Sequence, residues 1–113
     1  MRIIVPDEEL PLVTRAELDI LRLRYVRKFV LFDDATACFD YDGNFKPRFS
    51  FVNKGDLLFV LDLAATKTSH RGIPDIWPMP MKVLFGELVV WVRVNSEDEL
   101  IILHDYNVTD GGG

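Results

Sequence analysis

The two histidines, each with an aspartate nearby, are the residues of this sequence whose types could hold a metal ion. His70 and His104 are the only histidines among the 113 residues, and Asp75 and Asp105 lie close to them. Neutral imidazole nitrogens and a carboxylate oxygen can bind a transition-metal ion when three such ligands converge. Because no HxH or HExxH spacing forces convergence, the sequence favours surface or hydrogen-bonded histidines, with no metal and no cofactor. His70, Asp75 and His104 remain the candidate ligands of one alternative, a small metal-dependent hydrolase.

Nucleophilic catalysis is not indicated by the sequence. The single cysteine, Cys38, lies within an apparent strand, where a lone cysteine is usually a small hydrophobe and not a nucleophile. The chain has no serine nucleophile elbow, no P-loop and no dinucleotide-binding glycine pattern. We therefore predict a non-enzymatic protein with no catalytic residues.

Tryptophan, methionine and proline are concentrated in the segment HRGIPDIWPMPMKV, residues 70–83. Most of it lies in a stretch, residues 64–80, that shows no regular pattern and is longer than most connections in compact domains. The favoured interpretation is a self-packed loop that places Trp77 over an open end of the fold. The alternative is a contact surface for a partner protein, since Trp and Met are enriched at interface centres. The candidate contact residues of this segment are Ile76, Trp77, Met79 and Met81.

The segment RLRYVRK places four cations within seven residues. As a strand it would present Arg22, Arg24 and Lys28 on one face. That face would either remain solvated and protect an edge from aggregation, or dock an acidic protein segment or a nucleic-acid backbone. The net charge of −5 and the scattered basic residues elsewhere argue against general nucleic-acid binding. We favour the solvated face and keep these three residues as candidate protein contacts.

The chain ends in DGGG and begins with MRIIV. A terminal Gly112-Gly113 after a compact β-rich domain resembles the tail of ubiquitin-like modifiers and sulfur carriers. The resemblance implies adenylation at Gly113 by an activating enzyme. The sequence departs from those folds because only a few turn residues separate the first strand from Thr14, where a hairpin and then a helix are needed. This carrier function is a second alternative, and the glycines can equally be a tail with no role.

The N-terminal third favours one short strand and one helix. MRIIV is typical of a strand, and Thr14 with Glu17 forms a capping-box pattern for a helix that begins at Arg15. The following LDILRLRYVRKFVLF fits a helix or a strand equally through Arg27, and a strand beyond it. A longer helix over residues 15–28 would make the fold α+β.

The remainder of the chain shows turn signals about every ten residues, separated by runs rich in Phe, Val, Leu and Ile. Residues 39–52 are predicted to form a hairpin, with Asp42-Gly43 as its turn and Pro47 confined to an edge or bulge. GDLLFVLDL is predicted to be a strand with apolar residues on both sides.

KVLFGELVVWVRV is predicted to be one long strand that bends at Gly86. Its second apolar face carries Phe85 and Trp91, which are further candidate contacts. ELIILHDYNV is predicted to pair back through the NSEDE turn as the last strand. The expected fold is therefore a mainly β barrel or sandwich of about six strands with one short N-terminal helix.

Length and composition indicate one domain over residues 1–110, followed by a glycine tail at 111–113. No run approaches the roughly 20 apolar residues of a membrane helix. The single cysteine and the short apolar start IIV predict a reducing, cytoplasmic setting.

Apolar residues make up 49% of the chain, and two predicted strands are apolar on both faces. So small a domain covers both faces of few strands, which predicts burial against another protein or a copy of itself. The predicted function is a protein-binding or structural subunit of a larger assembly. Small acidic inhibitors and assembly factors encoded by viruses and plasmids share this composition.

Overall fold

The computed structural model describes residues 2–34, 36–41 and 45–103. These residues form one α-helix and ten strands. In chain order they are β1 (Arg2–Ile4), α1 (Leu12–Tyr25), β2 (Phe29–Phe32), β3 (Thr36–Tyr41), β4 (Phe45–Val52), β5 (Leu58–Leu63), β6 (Thr66–Thr68), β7 (Pro74–Asp75), β8 (Met79–Phe85), β9 (Leu88–Val94) and β10 (Leu100–Ile102). Short 3-10 helices at Asp7–Glu9 and Glu97–Glu99 precede α1 and β10.

The strands form two antiparallel sheets. The larger has seven strands in the order β10-β2-β5-β8-β9-β3-β4, and the smaller has the order β1-β6-β7. Within the described residues the outermost strands of the larger sheet, β10 and β4, do not pair with each other, so no closed barrel forms. The prediction of a mainly β fold with one helix is confirmed. The described residues form ten strands where about six were predicted, and the barrel form of the prediction is wrong.

The core lies on one face of the larger sheet. Residues paired across antiparallel strands point to the same side. Two such rows are fully or almost fully buried: Val60, Val83 and Val90, and Met81, Val92 and Cys38. Leu18, Leu21 and Tyr25 of α1 pack into the same core. The prediction that Cys38 is a buried small hydrophobe in a strand is confirmed.

α1 begins earlier than predicted. Its first residue is Leu12, its N-cap is Pro11, and no side chain caps the helix. The predicted start at Arg15 and the Thr14 to Glu17 capping box are therefore wrong. Pro11 has no N–H that needs an acceptor, and its ring fixes φ, here −56°. Its carbonyl accepts the Arg15 N–H at 2.9 Å, which starts the helical hydrogen bonds.

The ambiguous segment around Tyr25 is helical. α1 continues to Tyr25, Val26 is extended, and Arg27 has a positive φ of 67° that turns the chain toward β2. The sequence fitted a helix or a strand here, and the structure has the helix. The predicted strand, which would align Arg22 and Arg24 with Lys28, is therefore wrong. The helix prevails because the apolar residues at helical spacing reach the core.

The sequence KVLFGELVVWVRV forms a hairpin and not one long strand. β8 and β9 pair without interruption from Phe85 opposite Leu88 to Met79 opposite Val94. Gly86, with φ of 61°, lies in the two-residue turn that joins them. The predicted bend at Gly86 is therefore a reversal of direction, which a glycine with positive φ permits in so short a loop.

The last described strand also differs from the prediction. β10 pairs with β2, with Leu100 opposite Phe32, and does not pair back with β9. The 3-10 helix at Glu97–Glu99 carries the chain past the end of α1, where the Tyr25 hydroxyl donates a hydrogen bond to Glu97. A contact between distant parts of the chain thus redirects the strand.

Two further predictions concern loops. The stretch 64–80 was expected to lack regular structure, but it contains β6 and β7, which complete the small sheet with β1. The predicted hairpin over 39–52 is confirmed as β3 and β4, and Pro47 lies on the edge strand β4 as expected. The predicted turn Asp42-Gly43 lies outside the described residues.

Candidate protein-docking surfaces

The helix α1 is apolar on two sides, and only one of them faces the core. The opposite side carries the α1 stripe, which consists of Leu12, Val13, Ala16, Ile20 and Leu23. Successive helical residues are rotated by about 100°, so these five fall within an arc of roughly 100°. Leu12, Val13 and Leu23 are 78%, 81% and 83% exposed, and Ile20 is 56% exposed. Contiguous exposed aliphatic side chains of this kind make the α1 stripe a candidate docking surface.

The sequence interpretation did not identify the α1 stripe. Its helix began after Leu12 and Val13, and it weighed only the apolar positions of the core side. The signal was nevertheless present, since Leu12, Ala16, Ile20 and Leu23 follow a spacing of about four, four and three residues.

A second apolar surface lies on the side of the larger sheet that faces away from the core. Phe29, Phe59, Leu84 and Val89 lie in register across β2, β5, β8 and β9. The outer sheet face is defined by this row together with Leu31, Phe39, Lys82, Trp91 and Ile101, which flank it in the same alternation. Leu84, Val89 and Ile101 are exposed, and the other members are half-buried.

The two apolar surfaces face in opposite directions. α1 packs with its buried side on the inner face of the sheet, and the α1 stripe lies on the far side of the helix. The outer sheet face is on the far side of the sheet. The α1 stripe and the outer sheet face are therefore two separate candidate docking surfaces.

Arg22, a predicted contact residue for a partner protein, forms its ion pairs and hydrogen bonds within the domain. Its guanidinium forms a two-pronged ion pair with Asp7, donates from Nη2 to the Leu63 carbonyl at 2.9 Å, and donates from Nε to Asp62 Oδ1 at 3.1 Å. The hydrogen bond from Arg22 holds the pKa of Asp7 below its usual value, against the opposing effect of burial. Arg22 thus joins α1 to the 3-10 helix before it and to the end of β5.

Arg24 and Lys28 occupy different settings. Arg24 forms an ion pair with Glu97, whose Oε1 also accepts the Tyr25 hydroxyl. The Tyr25 hydrogen bond, reinforced by Arg24, lowers the pKa of Glu97. Burial and the neighbouring carboxylate raise the pKa of Tyr25 to about 12. Lys28 is exposed after the helix, so the structure does not bring the three predicted cations together on one face.

The proline-rich segment contributes mainly to the core. Ile76, Met79 and Met81 are buried and present no surface to a partner. Trp77 is half-buried and packs against the core from a cis Trp77-Pro78 peptide. Phe85, also half-buried, packs in the same way. These positions support the self-packed loop more than the contact surface.

An open cleft of about 290 Å³ lies beside this segment. Its lining residues are Thr14, Glu17, Pro74, Asp75, Ile76 and Trp77. Two carboxylates border it, and Arg71 Nη1 lies 3.4 Å from Asp75 Oδ2. The cleft is shallow and mixed in polarity, so no one ligand chemistry is selected by its walls.

The residues of the two alternative functions are only partly described. His70 is exposed and Asp75 is half-buried, whereas His104 and the glycine tail lie outside the described residues. Within the described ranges, no three His, Cys, Asp or Glu side chains are grouped so that they could hold a metal ion.

Comparisons with protein-family models, with curated proteins and with solved structures find no match for this chain. Among the helices that the structure describes, none combines the length and the apolarity needed to cross a membrane.

Proposed function

We propose that this protein is a non-enzymatic structural subunit that binds another protein through the α1 stripe. The observation that carries the proposal is the exposure of four large aliphatic side chains on one side of α1, opposite the side that packs into the core. Leaving them in water is unfavourable, because each buried aliphatic side chain gains about 1.5–3 kcal/mol relative to exposure.

The spacing of the stripe fits one mode of recognition in particular. A helix that lies in an apolar groove contacts it through side chains three and four residues apart. Leu12, Ala16, Ile20 and Leu23 satisfy that spacing over a helix of 14 residues, which is about 21 Å long. The expected partner is therefore a protein with an apolar groove of that length.

The edges of the stripe supply the polar rim of such an interface. Glu17 and Arg24 lie beside it on one edge and Asp19 lies on the other, all exposed. Charges at a rim affect the rate of association more than the affinity, so we assign the affinity to the aliphatic residues.

The test compares Leu23→Lys with the matched control Ile73→Lys in complexes recovered from the native source. Both positions are exposed, but Ile73 lies outside both apolar surfaces. The wild type and Ile73→Lys should retain a specific partner. Leu23→Lys should lose it, while its thermal unfolding midpoint remains that of the wild type.

Two outcomes would contradict this function. One is a Leu23→Lys variant that retains the same partner with unchanged affinity. The other is a wild-type protein that recovers no specific partner at all.

A further inference from the structure

We infer that the outer sheet face packs against the same face of a second copy of this chain. This interface goes beyond the proposed function, because it uses different residues and a different side of the molecule. The inference begins from the row Phe29, Phe59, Leu84 and Val89, which crosses four adjacent strands without a charged residue.

The thickness of the molecule shows what this face lacks. The shortest dimension is 23 Å, and packed layers of secondary structure lie about 10 Å apart. The protein therefore has room for a helix layer and a sheet layer. Among the residues that the structure describes, no third layer covers the outer sheet face, and a second copy of this chain would supply one.

The size of the face suits a dimer. The six strands from β10 to β3, at about 4.8 Å spacing, span roughly 24 Å, and about six residues per strand span roughly 20 Å. The flat area is therefore on the order of 500 Å² per copy, or about 1,000 Å² for both copies, which reaches the lower limit of a specific protein interface.

The order of side chains along the row makes the face complementary to itself. Consider a two-fold axis that runs parallel to the strands and lies between β5 and β8. It places β5 over β8 of the second copy, and β2 over β9 of the second copy. Phe59 then faces Leu84, and Phe29 faces Val89. Large side chains lie over smaller ones, as the filling of a sheet-on-sheet core requires.

The same axis places β10 over β3 of the second copy. Ile101 lies in register with Leu31 and Phe39 in register with Trp91, on opposite sides of the central row, so the match of side chains rests on the row itself. In an interface of this symmetry each contact occurs twice, and one patch supplies both halves. A second copy therefore covers the face without any other partner.

The experiment is sedimentation velocity of the purified full chain over a range of micromolar concentrations. The wild type should be a dimer. Val89→Lys, at a position 48% exposed on the outer sheet face, should weaken dimerisation about tenfold or more. Leu23→Lys, on the α1 stripe, should remain as dimeric as the wild type.

A second variant and a spectroscopic readout guard against misfolding of the first. Ile101→Lys should also weaken the dimer, and circular dichroism should show that each variant retains its fold. In a Trp77→Phe background Trp91 is the remaining tryptophan. Its emission should shift to the red when the dimer is diluted, and it should not change on dilution of Val89→Lys.

Two results would overturn the inference. One is a wild type that is monomeric throughout the range. The other is a dimer that dissociates with Leu23→Lys and persists in both sheet variants. Because purified protein is used, the result does not depend on the native partner of the α1 stripe, and the two proposals can fail separately.

Discussion

The carboxylate of Asp7 and the guanidinium of Arg22 form a two-pronged ion pair, with Nη2 3.0 Å from Oδ1. Asp7 lies in the 3-10 helix before α1, whereas Arg22 lies in the last turns of α1. The pair therefore fixes how the N-terminal segment folds back along the helix. Arg22 continues to the Leu63 carbonyl, so that three segments distant in sequence meet at one side chain.

Asp7→Asn should lower the free energy of unfolding by about 1 kcal/mol at neutral pH, since the charge-assisted bonds are partly exposed. The pKa of Asp7 is held below its usual 3.8. Its contribution is therefore fully present above pH 3.8 and is lost as the pH falls through the lower, folded-state pKa. Urea melts of both proteins should differ at neutral pH and converge in stronger acid. Glu8→Gln, at the adjacent exposed position, is the control and should match the wild type at neutral pH.

Tyr25→Phe should remove the hydrogen bond to Glu97 and cost about 1 kcal/mol of stability. Burial is the main cause that raises the pKa of Tyr25 from its usual 10.0 to about 12. The protonated hydroxyl therefore stabilises the fold fully below pH 10, and this contribution disappears as the pH rises toward 12. Spectrophotometric titration should show one late phenol in the wild type that Tyr25→Phe lacks. A titration identical in both proteins would contradict the placement of Tyr25.

Gly86→Ala should destabilise the β8–β9 hairpin by about 1–2 kcal/mol, because residues with a Cβ disfavour a positive φ. Gly86 has φ of 61°, and no atom lies near the position that its Cβ would take. The cost should therefore come from the backbone alone, so that Gly86→Asn is milder than Gly86→Ala. Glu87→Ala in the same turn should be close to neutral. Thermal melts of the three variants measure the difference.

Trp77→Ala should lower the free energy of unfolding by about 2 kcal/mol, less than the 3–5 kcal/mol of a fully buried ring. Trp77 is half-buried against the core, and neighbouring Ile73 is 58% exposed. Ile73→Ala should therefore change stability by no more than about 0.5 kcal/mol. Denaturant melts of both variants would show whether the proline-rich segment packs the core. Equal effects at the two positions would argue that it does not.

Much of the strand content followed from local pattern. The apolar strand β5, the hairpin of β3 and β4, and the restriction of Pro47 to an edge were all readable from the chain. These features depend on the geometry of single strands and short turns, which neighbouring residues determine.

Contacts between distant residues decided what the pattern left open. The segment at Tyr25 fits two periods, and it is a helix because Leu18, Leu21 and Tyr25 reach the core. The sequence of β10 would allow it to pair with β9 or with β2. It pairs with β2, and the hydrogen bond from the Tyr25 hydroxyl to Glu97 holds the chain just before this strand. Local pattern cannot rank such alternatives, because the stabilising contact lies far away in sequence.

The sequence by itself determined that this is a small acidic protein, rich in strands, with a surplus of apolar side chains for its size. Only the tertiary structure decided where that surplus lies. Ile76, Met79 and Met81, which looked available, fill the core, whereas Leu12, Val13 and Leu23 remain in solvent. Composition counts apolar side chains, but exposure depends on which face of each element the packing covers, and that is a property of the assembled chain.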